Sequence, residues 1–221
     1  EIPKMAGLHV PKHIGLRYET NLFPPRLSKP YVRDTLTFVS TKHLDTRMHR
    51  VALSNSDKVG FFAAQHAQWL KRQGVECAYL RPPVADAGGS KWKSRRKKKA
   101  GTKPRILIFG MNLTFASRKG VRTLTQDIMP NLEKKLGING FEVRILQGTK
   151  LMADEDHAAL HHPSIQLLNY VSDLGSELAK ADVVCFPLEF PVGVRTGIIT
   201  AFSSGACVVA QESCRLGAPE I

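Results

Sequence analysis

The sequence has no run approaching the roughly 18 to 20 consecutive apolar residues of a membrane-spanning helix, so no transmembrane segment is expected. It also lacks GxxxxGK[ST] and GxGxxG, which argues against an NTPase or a dinucleotide-dependent dehydrogenase. Its four cysteines, Cys77, Cys185, Cys207 and Cys214, form no CxxC pair. That removes the usual zinc-ribbon and dithiol signatures and points to a reducing, cytoplasmic compartment. Cys185 and Cys207 lie within apolar runs, where a cysteine reads as a small buried hydrophobe. The opening stretch "EIPKMAGLHVPKH" has no continuous apolar core and so is not a signal peptide. Asn112-Leu-Thr114 matches a glycosylation acceptor, which matters only in a secreted protein. There is no initiator methionine, and the chain stops two residues after a proline, which reads as a piece of a longer protein.

Acidic residues are scarce: 19 stand against 32 lysines and arginines, for a formal charge of +13. The excess is local. Nine basic residues and no acidic ones fall in "KWKSRRKKKAGTKPR", Lys91 to Arg105, and setting them aside leaves +4. Flanked by "PPVADAGGS" and "GTKP", the stretch reads as an exposed linker. Next in order comes adhesion to an anionic membrane surface, at about 1 kcal/mol per basic residue. Nucleic-acid binding is disfavoured, since stacking on bases needs interleaved aromatics and only Trp92 is present.

What is present is alternation. Before the linker, "HRVALSNS" reads as a strand. "DKVGFFAAQHAQWLKRQG" reads as a helix with Asp57 as N-cap and Gly74 as C-cap, and "VECAYLRPPV" as another strand. After it come strand "RILIFG", helix "RTLTQDIMPNLEKKLG", strand "FEVRILQG", helix "LGSELAKA", strand "DVVCFP", helix "RTGIITAFSSG" and strand "ACVVAQ". Alternating strands and helices imply a parallel sheet, and strands apolar at nearly every residue imply helices on both faces. The expected class is α/β, a parallel Rossmann-like sheet covered on both faces. The first forty-odd residues are proline-rich and weakly periodic, and no function is assigned to them.

In such sheets ligands bind outside the carboxyl ends of the strands. The loop "GMNLTFASRKG" is glycine-bounded and basic at its end, and the loop after "DVVCFP" holds Glu189, Gly193, Arg195 and Thr196. A glycine loop entering a helix offers free amides and a positive dipole end, and Arg118, Lys119 and Arg195 would add full charges. A phosphate-bearing ligand is the expectation; the bland reading makes these solvated loop residues.

At these residues the sequence resembles the nucleotide-binding half of retaining GT-B glycosyltransferases of family 4 (group 1). The elements "ILIFG", "RKGVRTL", "VRILQG", "NYVSDLGSELAKADVVCFP" and "GVRTGIITAFSSGACVVA" follow that family's order from Arg105 to Ile221. The resemblance implies that residues 1–86 are the end of an acceptor-side domain, 87–104 a basic interdomain linker, and 105–221 a truncated donor-binding domain. It implies metal-independent transfer of a hexosyl group, with no cofactor, from a UDP- or GDP-type sugar to a glycan or lipid-linked acceptor. Lys119 matches the lysine that contacts the donor diphosphate, Tyr170 and Val171 the segment bordering the base, and Gly193, Val194, Arg195 and Thr196 the donor loop. Gly110, Asn112, Arg118, Glu189 and Thr200 complete the expected donor site; no catalytic residue is named.

Two departures stand out. Met111 and Asn112 replace an arginine usual after the first strand, and Val192 and Thr200 replace two glutamates eight positions apart. A catalytically impaired scaffold that binds partners is therefore the second reading, and a nucleic-acid-associated protein acting through Lys91 to Arg105 the third. "DED", Asp154 to Asp156, has the form of a cation-binding Asp-x-Asp, but the polar "GTKLMA" precedes it. His157, His161 and His162 read as an exposed loop–helix edge, since two histidines four apart need a further ligand to hold a metal. Asp127 and Glu133 read as the solvent face of their helix.

Overall fold

The computed structural model describes residues 58–72, 74–83, 102–110, 115–146, 154–168, 170–188 and 193–220. The strand read at "HRVALSNS", the Asp57 cap, most of the basic linker, Asn112 and Glu189 lie outside them. The chain divides into two compact units. One gathers the residues up to Pro82 with 190–194 and 215–221; the other gathers 83–189 and 195–214.

The first unit holds β1 (Gly60–Phe61), α1 (Ala64–Arg72) and β2 (Ala78–Tyr79), with β1 and β2 paired in parallel. Phe61, Ala67, Leu70 and Cys77 form its core. The helix expected from Asp57 starts instead at Ala64, because β2 captures the residues before it. Ala78 N–H donates to Val59 O at 2.9 Å and Leu80 N–H to Phe61 O at 2.8 Å. The end of α1 is as expected. Gly74 takes φ 78°, its N–H donates to Lys71 O at 3.0 Å, and Val75 N–H reaches back to Leu70 O at 3.1 Å. Paired bonds of this kind close a helix on a left-handed glycine.

The second unit is a five-stranded parallel sheet. Its strands are β3 (Arg105–Phe109), β4 (Glu142–Leu146), β5 (Ile165–Leu168), β6 (Val183–Phe186) and β7 (Val208–Ala210), in the order β5-β4-β3-β6-β7. Leu107 and Ile108 are consecutive, so they point to opposite faces, yet both are 0% exposed. Both faces of the sheet are therefore covered, as the unbroken apolar strands imply. Each such side chain, fully buried, is worth roughly 1.5–3 kcal/mol.

One face carries Ile108, Val143, Ile145 and Cys185 against Val121, Leu124, Met129 and Leu160. These last four belong to a long helical stretch and the segment after α4. The stretch is α2 (Phe115–Arg122), a π-helical segment (Thr123–Ile128) and α3 (Met129–Leu136); α4 is Asp154–Ala159. The π segment has a local cause. Pro130 has no N–H and crowds the carbonyl four residues back, and the ladder shifts so that Met129 N–H donates to Leu124 O. The helix begins at Phe115, not at Arg122 as its sequence pattern suggested, so Arg118 and Lys119 are helical and not part of a loop.

The other face receives α5 (Leu174–Lys180) and α6 (Thr196–Ser203). Asp173 caps α5 by accepting from Ser176 N–H at 2.9 Å. Gly205 closes α6 at φ 65°, with bonds from Gly205 to Phe202 O and from Ala206 to Ala201 O. Both ends agree with the sequence. Two elements were not read from it: β5, four residues long and half-exposed as an outer strand, and the polar helix α4. Cys207 corrects a third reading. It is exposed, as are Val209 and Ala210, because β7 is the outer strand of the described sheet.

Candidate functional site

The chain builds β3, moves outward to β4 and β5, then returns to lay β6 on the other side of β3. Connections leaving the carboxyl ends of β3 and β6 therefore diverge to opposite faces. That switch point is where parallel sheets bind ligands. Four described features converge on it.

Gly110 ends β3 in a left-handed conformation, φ 75°, and is exposed. Next, α2 reaches the end of β6 at Gly120. A Cβ there would lie 2.8 Å from Pro187 O and 2.9 Å from Leu188 Cδ2, so only glycine permits this approach. Lys119, half-buried, precedes it on the same helix. On the other face, Gly197 in the first turn of α6 sits over the rings of Phe109 and Phe186, where a Cβ would be 3.1 Å from each. Those rings meet edge-on at 5.2 Å and tie the ends of β3 and β6 together.

Arg195 is the N-cap residue of α6, and its carbonyl accepts from Ile198 N–H at 2.9 Å. Burial pushes its guanidinium below the usual value, and the Cys214 thiol acts in the opposite sense. Burial also raises Cys214, with Arg195 opposing. The result is a cation beside a neutral thiol whose Sγ lies 3.7 Å from Leu188 O. Leu188 is thus shared: it touches the Gly120 position on one side and Cys214, Arg195's neighbour, on the other.

The remaining expected residues fall as follows. Thr196 opens α6 and is exposed. Thr200 donates its hydroxyl to Thr196 O at 3.0 Å, while its own carbonyl accepts from Ser203 and Ser204. Tyr170 is 89% exposed beyond the end of β5, with Val171 half-buried beside it. β5 lies two strand spacings from β3, about 10 Å. Gly193, φ 69°, and Val194 belong to the first unit. Arg118 lies in α2 with its side chain outside the described set, as are Asn112 and Glu189.

Gly120 and Gly197 were not among the residues singled out from the sequence. The available signal was a glycine inside a helical pattern, which costs about 1 kcal/mol relative to alanine and so implies a packing reason.

The histidines make local contacts. His157 and His161 approach to 3.3 Å, and His162 Nε2 lies 2.7 Å from Glu133. Ser164 N–H donates to His162 Nδ1, which leaves the proton on Nε2, facing that carboxylate. Glu133 is therefore engaged and not simply solvated. Among the described residues no three of His, Cys, Asp and Glu gather in a way that could hold a metal.

The sequence profile of Glycosyl transferases group 1 matches residues 103–221, more than half of the chain and all of this sheet. The chain belongs to that family. Solved structures similar to it include a glycosyltransferase from Rickettsia africae ESF-5, at 14% identity and a TM-score of 0.54, covering 73% of this chain and 46% of that one. CalG4, the calicheamicin glycosyltransferase, aligns at 14% identity and a TM-score of 0.37, over 98% of this chain and 51% of that one. The chain thus spans about half the length of these structures. No curated protein matches. The group 1 chain has the α/β, parallel-sheet architecture of the GT-B type, as a partial domain.

Proposed function

We propose that the protein carrying this chain is a retaining, family 4 hexosyltransferase that uses a UDP- or GDP-type sugar. Residues 105–221 form the donor-binding domain, residues 1–86 the end of the acceptor-side domain, and 87–104 the linker between them. One observation carries this reading. The helix bearing Lys119 packs at Gly120 against Leu188, and Leu188 also meets Cys214, the neighbour of Arg195.

In the reaction, the bond between the sugar's anomeric carbon and the diphosphate oxygen breaks. An acceptor hydroxyl oxygen bonds that carbon on the same face and gives up its proton to the departing diphosphate oxygen, and the nucleoside diphosphate leaves. Charge develops on the diphosphate, so fixed cations and amide dipoles aimed there lower the barrier. Lys119 and Arg195 supply the cations. The first turn of α6, which opens at Thr196, supplies the positive dipole end. The family resemblance adds Gly110, Asn112, Arg118, Glu189, Gly193, Val194 and Thr200 to the donor-binding residues of this reading, with Tyr170 and Val171 as the segment bordering the base. No metal or cofactor is needed, because these groups carry the electrostatic work. The acceptor is a glycan or lipid-linked glycan. Lys91 to Arg105 would hold a cytoplasmic enzyme at an anionic membrane surface.

A catalytically impaired, partner-binding scaffold is the second reading. What favours it is Thr200, whose hydroxyl is engaged with its own helix where a carboxylate is usual in the family. Calorimetry with UDP, GDP and their sugars decides between them. Binding that Lys119→Ala weakens about tenfold, or about 1.4 kcal/mol, supports the enzyme. Absence of binding to the full-length protein sinks it and leaves the scaffold.

A further inference from the structure

The loop that leads into α6 is held from elsewhere in the chain. Gly193 sits at φ 69°, and its carbonyl accepts from Gln65 Nε2, in the first turn of α1, at 3.5 Å. Behind it stands Gly217, which is buried and whose carbonyl accepts from Ala64 N–H at 3.0 Å, at the start of α1. A Cβ on Gly217 would collide with the Gly193 carbonyl oxygen and lie 2.9 Å from its carbon and 3.0 Å from Val194 Cα. The obstacle is backbone, so no flexible side chain can swing aside to relieve it.

We propose that Gly217 and Gln65 are positioning residues for the donor loop: they fix the course of Gly193–Val194. The inference rests on reading Gly193 to Thr196 as donor-binding. Its physical basis is close packing of backbone on backbone: the directions of the Gly193 and Val194 peptide groups follow from the path that Gly217 leaves open and Gln65 holds. Gly217 acts by close packing and Gln65 by one long hydrogen bond, so Gly217 carries the larger share. Neither residue touches the donor in this account.

Gly217→Ala and Gln65→Ala, made in the full-length protein, test the proposal. They are read by calorimetry with UDP and GDP and by amide hydrogen exchange over 193–197. Gly217→Ala is expected to weaken nucleotide binding by about tenfold to a hundredfold, the scale of a misplacement near one ångström, and to raise exchange over 193–197. Gln65→Ala, which removes no packing glycine and keeps the test alive if Gly217→Ala does not fold, is expected to weaken binding about threefold with the same rise in exchange. If the parent binds nucleotide and both variants bind as it does, the proposal is overturned. If the parent binds neither nucleotide, the donor reading fails by itself and exchange decides the positioning. A rise in exchange in either variant sustains it, and unchanged exchange in both ends it.

Discussion

The two ends of the five-stranded sheet are built on different principles. At the amino half, charge is matched by charge. Arg105 pairs with Glu142 at 2.9 Å and Arg144 with Glu177 at 3.0 Å, Lys180 reaches Glu177 at 3.0 Å, and Arg105 N–H donates to Asp182 at 2.6 Å. Glu177 is only 7% exposed, so its charge depends on those partners. At the carboxyl ends of β3 and β6 the close contacts are made by glycines against backbone and aromatic rings, and Lys119 and Arg195 stand on α2 and at the N-cap of α6. One end fixes the fold. The other holds the proposed donor site, and the substitutions that damage each should differ in what they change.

The largest effect is expected from Glu177→Ala. It removes the nearer partner of half-buried Arg144, leaving Glu142 at 3.9 Å, and should lower unfolding stability by about 3 kcal/mol, read from denaturant midpoints. Nucleotide affinity of the folded fraction should stay as in the parent. A matching loss of affinity would erase the division between the two ends.

Gly120→Val comes next. Its Cβ meets the Pro187 carbonyl, so α2 must shift. A stability loss of about 1–3 kcal/mol should accompany a weakening of UDP or GDP binding of about tenfold or more. Gly197→Ala sharpens the contrast. The methyl presses on two rings that can give slightly, and the gain of about 1 kcal/mol in helix propensity offsets the crowding. Net stability should barely move, while nucleotide binding falls by a few-fold.

The smallest effect is in pH. Burial raises the Cys185 thiol from 9.0 to about 11. The unfolded chain therefore releases this proton at lower pH than the folded one. The stability it contributes is complete below pH 9 and declines as pH rises toward 11. Denaturant midpoints at pH 8 and pH 10.5 should show a decline that Cys185→Val reduces. At pH 8 a maleimide should label exposed Cys207 and spare Cys185 until unfolding.

Much of this was legible in single residues. Gly74 and Gly205 end their helices because a left-handed residue closes the last turn, and Asp173 starts α5 because its carboxylate accepts an otherwise unpaired amide. The apolar strands of the second unit announced a sheet covered on both faces. What misled was equally local. "GFF" continued an apolar pattern that looked helical, but partners at Ala78 and Leu80 drew it into a strand. "FASRK" looked like loop because a glycine and polar residues surround it, yet it is the start of the longest helical stretch among the described residues. Lys119 and Arg195 were visible as candidate cations, whereas Gly120, Gly197, Gln65 and Gly217 were not, since their meaning lies in what stands opposite them.

The sequence by itself determined where α1 and α6 stop and where α5 starts, since capping and left-handed glycine act within a few residues of backbone. It also determined the class, because strand periodicity and apolar content are properties of single segments. Only the tertiary structure decided that β6 lies beside β3, and hence where the switch point falls. Strand order is set by the burial of whole faces against one another, an energy that no single segment carries.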